Sequence, residues 1–317
     1  MQREQKLLLL KIVSLFSVIR GYNIPIIIIA QYLSAIFIMA PEQRALSILL
    51  DFNIFILVFA SAIAIASGYI INNFYDSQKD LINRPSKSML DRLVSQKTKL
   101  QVYFTLNFIV ALMAWFISWR ALLFFSFYIF LIWFYSHKLK KIVFIGNLSA
   151  ALLAVWPFFA ILLYYYQPTS IEELERHKDH FAVIIAHASF LFLLILIREL
   201  IKDLENLKGD LANNYHTIPV FYGENWSKRI STGLTVLTLV PVYILIELYD
   251  VGYMDIYFYS SLIVLLFFLL LLWQSNNKTH YIRLHNILKF LIVAGVFCIV
   301  LINPSVLWHG KNWLLKQ

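Results

Sequence analysis

Asn72-Asn73-Phe74-Tyr75-Asp76-Ser77-Gln78-Lys79-Asp80 decides the reading of this chain, because a long apolar run passes here without a break into a row of polar side chains. Asn72, Asp76 and Asp80 recur every four residues. On an α-helix they stack along one face over two turns and direct their oxygens into a common space. Two carboxylates and an amide make a hard-oxygen site. Mg2+ is commonly held by one or two carboxylates while water and substrate phosphates take its other positions, and an open row supplies that arrangement.

A second stretch matches the first. Arg198-Glu199-Leu200-Ile201-Lys202-Asp203-Leu204-Glu205-Asn206-Leu207-Lys208-Gly209-Asp210 also follows an apolar run, with Glu199, Asp203, Asn206 and Asp210 at steps of four, three and four. That spacing again describes one helical face. Two such faces, each at the end of a membrane-length helix, can close on one polyanion through bridging metal ions, as two-metal sites do at transferring phosphoryl groups.

The apolar runs place the chain in a membrane. Of its 317 residues, 60% are hydrophobic and only 14% charged, and the mean hydropathy is +0.71, the composition of an all-α polytopic membrane protein. The formal charge of +9 resides in short loops between apolar spans, where it sets orientation rather than binding nucleic acid. The single cysteine, Cys298, lies inside an apolar run, which excludes an intrachain disulfide and a thiolate metal cluster. No small-residue cleavage site follows the N-terminus, and residues 1–20 read as an amphipathic helix at the membrane surface.

Stretches of about 17 to 25 mostly apolar residues predict nine spans, near 21–40, 52–75, 101–119, 121–137, 142–165, 181–201, 232–249, 256–274 and 285–303. Lys and Arg alternate accordingly. Arg3, Lys6, Lys11 and Arg20 precede the first span. Lys79 to Lys99, Lys138 to Lys141, Lys202 to Arg229, and Lys278 with Arg283 fall in every second connection. The intervening connections hold only Arg44, Arg120 and the pair Arg176 and Lys178, or are acidic, with Asp250 and Asp255. The positive-inside rule then sets the N-terminus in the cytoplasm and the C-terminus outside, with both acidic rows on the cytoplasmic face. The connections 76–100 and 202–231 are the longest on that face and are candidate lids. No room is left for a separate soluble domain, so residues 1–317 form one membrane domain.

Arg84, Lys87, Lys138, Lys140, Arg198 and Lys202 flank the rows and are candidate cationic donors to a diphosphate, although each also suits a lipid-headgroup anchor. Tyr75, Tyr135 and Tyr222 are the aromatics nearest the rows. Carboxylates inside a membrane also serve cation-coupled transporters. Transporter spans, however, are usually interrupted by Gly or Pro near the bilayer midplane, whereas the acidic residues here lie at helix ends.

These residues carry a family resemblance. Asn72, Asp76 and Asp80, followed by Asn83-Arg84-Pro85, resemble the first signature of the UbiA superfamily of membrane prenyltransferases. Arg198-Glu199, Lys202-Asp203-Leu204-Glu205-Asn206 and Gly209-Asp210, continued by Thr217-Ile218-Pro219 and Gly223, resemble the second. Tyr135-Ser136 with Lys138, Leu139 and Lys140, then Gly146-Asn147, is similar to the connection between the fourth and fifth helices, and Arg20 with Asn23 to a polar pair at the first. The resemblance implies a nine-helix bundle that transfers a prenyl group from an isoprenyl diphosphate to a lipid or aromatic acceptor, requires Mg2+, and lies in a bacterial or archaeal cell membrane. It assigns Asn72, Asp76 and Asp80 to one ion and Asp203, Asn206 and Asp210 to the other. Arg84, Lys138, Lys140 and Lys202 become diphosphate clamps, and Asn73, Arg198, Arg20, Asn23 and Tyr135 further substrate contacts. Within the superfamily the second signature is most similar to the enzymes that prenylate geranylgeranylglyceryl phosphate. Asn206 stands where those carry Asp, and Ser88-Met89-Leu90 replaces a proline-containing stretch. An aromatic acceptor of quinone biosynthesis is therefore the alternative.

Overall fold

The computed structural model describes residues 3–21, 23–165 and 178–308; Arg176 of the predicted outer connection lies outside them. The helices in chain order are α1 (Arg3–Val18), α2 (Ile24–Ser34), α3 (Ala45–Leu49), α4 (Phe52–Asn83), α5 (Pro85–Asp91), α6 (Gln96–Ile117), α7 (Trp119–His137), α8 (Ile145–Val155) and α9 (Leu162–Tyr165). There follow α10 (Lys178–Ala212), α11 (Ile218–Tyr222), α12 (Glu224–Leu237), α13 (Leu239–Tyr243), α14 (Asp255–Gln274) and α15 (Lys278–Cys298). Every regular element among the described residues is helical, as hydrocarbon requires of backbone that has no water to bond with.

Eight helices among the described residues are long and apolar enough to cross a membrane. The expected ninth, 21–40, is a shorter apolar helix, Ile24–Met39, whose last turn, Ala35–Met39, widens to a π-turn. The predicted span 142–165 also differs in detail. Pro157 cannot continue the α-helical ladder, and α8 passes through a 3-10 segment, Trp156–Ile161, into α9.

Two helices form the centre of the bundle. In their most apolar windows α4 is 72% and α10 56% buried, against 17% for α6, whose Phe104, Phe108, Trp115 and Phe116 face outward. The central pair are also the longest, with 32 and 35 residues. At 1.5 Å per residue they reach about 48 and 52 Å, well beyond about 30 Å of hydrocarbon. The surplus carries the two acidic rows.

Local signals set the helix ends. Asp51 accepts from the Ile54 N–H at 2.9 Å, and Ser95, Ser118 and Asn277 cap α6, α7 and α15 in the same way. Pro85 follows Arg84 and ends α4. The predicted lids are shorter than expected because helix continues into them. α4 runs on to Asn83 and is followed at once by α5, while α10 runs to Ala212 and leaves only 213–217 before α11.

The N-terminal helix α1 leaves Leu9, Leu10, Ile12, Val13 and Phe16 exposed. It is tied to α5, since Ser14 donates to the Leu90 carbonyl and Ser17 to Asp91 Oδ1, both at 2.7 Å.

Candidate active site

The rows of α4 and α10 line one cavity of about 650 Å3. Asn72, Asp76 and Asp80 contribute from α4, and Arg198, Glu199, Lys202, Asp203 and Asn206 from α10. Their spacing of three and four residues puts each set on one helix face, and the crossing of the two helices turns these faces toward each other. Gly209 allows the crossing. Its N–H donates to Asn83 Oδ1 at 3.1 Å, and a β-carbon there would overlap the Asn83 amide.

Asp76 is the most heavily engaged carboxylate. Its Oδ1 accepts from Lys140 Nζ at 2.6 Å and from the Tyr215 hydroxyl at 2.7 Å, and Lys140 also reaches Asn72 Oδ1 at 3.3 Å. Burial and the Asp76 carboxylate push the Tyr215 phenol well above its usual range, so it stays a donor. Across the cavity, Asp203 Oδ2 accepts from Asn147 Nδ2 at 2.7 Å. Glu199 is held by Arg198 Nη2 at 3.1 Å and Lys202 Nζ at 2.5 Å. Glu205 joins Arg84 and His285, each at 3.2 Å. The Asp80 carboxylate accepts no hydrogen bond among the described residues, and Asn206 Oδ1 is buried without a partner.

The remaining expected residues divide. Lys140 is only 8% exposed and reaches the cavity because α7 ends at His137 and a 3-10 turn, Leu139–Lys141, folds inward. The lack of a side chain at Gly146 lets that turn approach α8, since a β-carbon there would sit 3.0 Å from the Lys140 carbonyl oxygen. Arg20, Asn23, Arg84 and Tyr135 also line the cavity. Arg20 adopts a left-handed φ of 49°, and its guanidinium lies 5.2 Å from the centre of the Tyr69 ring. A small recess beside the cavity collects Arg20, Asp80, Arg84, Lys87, Ser88 and Asp91. Burial and the neighbouring Arg20 charge hold the Lys87 amine below its ordinary range.

Three residues that the resemblance assigns to the site do not line the cavity. Asn73 lies about 100° round the helix from Asn72 and faces α5 and α6, where it donates to Asp91 Oδ2 at 3.0 Å and accepts from the buried Lys99 at 2.8 Å. Lys138 is exposed at the α7 terminus. Asp210 lies on the expected face of α10 but beyond the end of the cavity, fully buried in an ion pair of 2.5 Å with Lys79, whose ammonium sits 4.2 Å above the Tyr215 ring. Of the aromatics near the rows, Tyr75 packs on Phe74 and His137 and Tyr222 is exposed.

Several lining residues were not expected. Lys79 stands inside the opening motif, and Asn147 follows Gly146, yet neither spacing indicated a partner. Tyr215 comes from the short link before α11. His285, Asn286 and Lys289 come from α15, where three polar residues on one face of an otherwise apolar span were the available signal.

Away from the rows the cavity wall is apolar, with Ile27, Ile65, Ile132, Leu153, Phe158 and Ile195 among its residues. One end of the chamber thus offers oxygen ligands and cations, and the other accepts hydrocarbon. The model of the UbiA prenyltransferase family matches residues 28–293, a range that includes both rows. This chain belongs to the UbiA prenyltransferase family. It is an integral membrane prenyltransferase, and the membership displaces the transporter reading.

A digeranylgeranylglyceryl phosphate synthase from Methanobrevibacter smithii is 25% identical over 244 residues, which cover 75% of this chain and 80% of that one. Among solved structures, one from work on digeranylgeranylglyceryl phosphate synthase in membranes matches with a TM-score of 0.68 at 21% identity, over 93% of this chain and 99% of that one. A UbiA homologue from Archaeoglobus fulgidus bound to GPP and Mg2+ gives 0.64 at 14% identity, over 90% and 99%. These two likenesses establish the UbiA fold.

The residues fit divalent metal. Asn72, Asp76, Asp80, Asp203 and Asn206 present hard oxygens to one space, the donor set Mg2+ prefers, and the unpartnered Asn206 oxygen is otherwise costly to bury. Among the described residues no three His, Cys, Asp or Glu side chains form a closed metal cluster. An ion there would complete its shell with water and phosphate oxygens.

Proposed function

We infer that this enzyme transfers a prenyl group from an isoprenyl diphosphate to a prenylglyceryl phosphate in a Mg2+-dependent reaction that forms an ether lipid. The observation that carries this reading is the pair of acidic rows facing each other at one end of a chamber whose other end is walled by apolar residues. The names of the relatives support the glycerol-phosphate acceptor.

In the reaction the allylic C–O bond breaks, diphosphate leaves with the electron pair, and an acceptor hydroxyl oxygen bonds to the allylic carbon and gives up its proton to the departed diphosphate. Asn72, Asp76 and Asp80 would hold one ion and Asp203 with Asn206 another, and the metal supplies charge neutralisation for the leaving diphosphate. Lys140, Arg84, Lys202 and Arg198 are positioned to donate to phosphate oxygens. The apolar wall receives the prenyl tail and keeps water from the allylic cation. Lys79, itself on the cavity wall, is held from behind by Asp210. The loop charges support a site that opens to the cytoplasm.

The test is transfer of radiolabelled geranylgeranyl diphosphate in proteoliposomes to geranylgeranylglyceryl phosphate, 4-hydroxybenzoate, homogentisate or dihydroxynaphthoate. Product on the glycerol phosphate is expected, lost by at least about a hundredfold in Asp76→Ala and Asp203→Ala and abolished by EDTA. Product on an aromatic ring alone, or activity indifferent to EDTA, would overturn the reading.

A further inference from the structure

The reaction proposed above brings two anions into one chamber, and the two acidic rows suit only the one that carries metal. A second phosphate placed among Asp76, Asp80 and Asp203 would be repelled. It needs a wall with cations and few carboxylates.

α15 provides that wall. Lys278 Nζ donates to the Asn83 carbonyl at 2.9 Å, so the helix begins beside the polar end of the chamber and runs from there into the membrane. His285, Asn286 and Lys289 lie on one face of it at steps of one and three, and all three line the cavity. Ile292 and Val296 continue the same face one and two turns deeper. Lys289 stands four residues into the expected span 285–303, about 6 Å along the axis, where an ammonium is tolerated best when it faces a cavity. Asn286 and Lys289 line the chamber and are also exposed. One carboxylate on this side of the chamber, Glu205, is held by Arg84 and His285.

We propose that the α15 face of His285, Asn286 and Lys289 is the seat of the acceptor's phosphate, separate from the diphosphate seat between α4 and α10, with the acceptor's hydrocarbon lying along Ile292 and Val296. The proposal rests on the glycerol-phosphate reading of the acceptor. It explains why an amide, an imidazole and an ammonium interrupt one side of an apolar span, and it orients an amphipathic lipid with its head toward the acidic rows and its chain deeper in the bilayer.

The experiment compares wild type, Lys289→Ala and Lys289→Arg in proteoliposomes, with geranylgeranylglyceryl phosphate and with the same lipid lacking its phosphate. Removing a charged hydrogen-bond donor from a phosphate is expected to raise the KM of the phosphorylated acceptor about tenfold or more. The KM of the isoprenyl diphosphate should stay within about twofold. The preference for the phosphorylated over the dephosphorylated lipid should collapse in Lys289→Ala and persist in Lys289→Arg. A wild type active on the phosphorylated acceptor whose KM is unmoved by Lys289→Ala overturns this proposal alone, as does an equal rise for both substrates. A wild type that transfers nothing to that acceptor overturns it together with the reading on which it rests.

Discussion

Asp76 shows how one side chain is fixed for its task. Lys140 and Tyr215 both bond to Oδ1, so the carboxylate cannot rotate and Oδ2 keeps a set direction. The Tyr215 ring has a second duty, as the face beneath the Lys79 ammonium. Tyr215→Phe separates the two, because it keeps the ring and removes only the hydroxyl. A hydrogen bond to a charged group contributes about 1.5–3 kcal/mol. The substitution should therefore lower kcat/KM by about tenfold or more and raise the Mg2+ concentration needed for half-maximal transfer, with the melting temperature little changed. A melting temperature that falls while the Mg2+ requirement stays put would assign the hydroxyl to stability instead.

The same residues mark what a sequence discloses. Asn72, Asp76 and Asp80 were legible because helical spacing is a local property and the partners lie in one row. Asn73, adjacent in sequence, turns instead to another face, where it bonds to Asp91 and Lys99. Asp210 had the correct spacing, but spacing does not say where a chamber ends. Tyr215 lies 139 residues from the carboxylate it binds, and no periodicity connects them.

Among the elements, the crossing of α4 and α10 decides whether the rows meet. Asn83 bonds the Gly209 N–H across this crossing, and a methyl group at 209 would collide with its amide. Gly209→Ala should cost about 1–3 kcal/mol, read as a lower melting temperature in detergent together with reduced transfer. Gly233→Ala is the control. It lies within α12 with open space about it, and there the better helix propensity of Ala should hold or raise stability by about 0.5–1 kcal/mol. Helix type and order were clear from the apolar runs; the extent of α4 and α10 was not. The polar rows look like the end of a span in a hydropathy scan, whereas the backbone continues helical through them until Pro85 and the segment after Ala212.

For the whole molecule, the loop charges make a prediction about sidedness. With Cys298→Ser as background, Lys138→Cys at the exposed end of α7 should react with a membrane-impermeant maleimide only from the cytoplasmic side, and Asp250→Cys only from the other. Labelling of both from one side would reverse the arrangement inferred from Lys and Arg.

Finally, the surplus length of α4 bears on how the chain is made. Near its end Asp76 meets Tyr215 and Lys79 meets Asp210 only after about 130 to 140 further residues have been synthesised, roughly 7 to 28 s at 5–20 residues per second. For that interval the charges wait without those partners. They can do so because α4 extends past the hydrocarbon, so that Asp76, Lys79 and Asp80 rest hydrated at the membrane boundary until α10 arrives. A helix trimmed to the bilayer would have to hold them in lipid during the delay. The same projection that carries the chemistry also makes insertion of the unfinished chain tolerable.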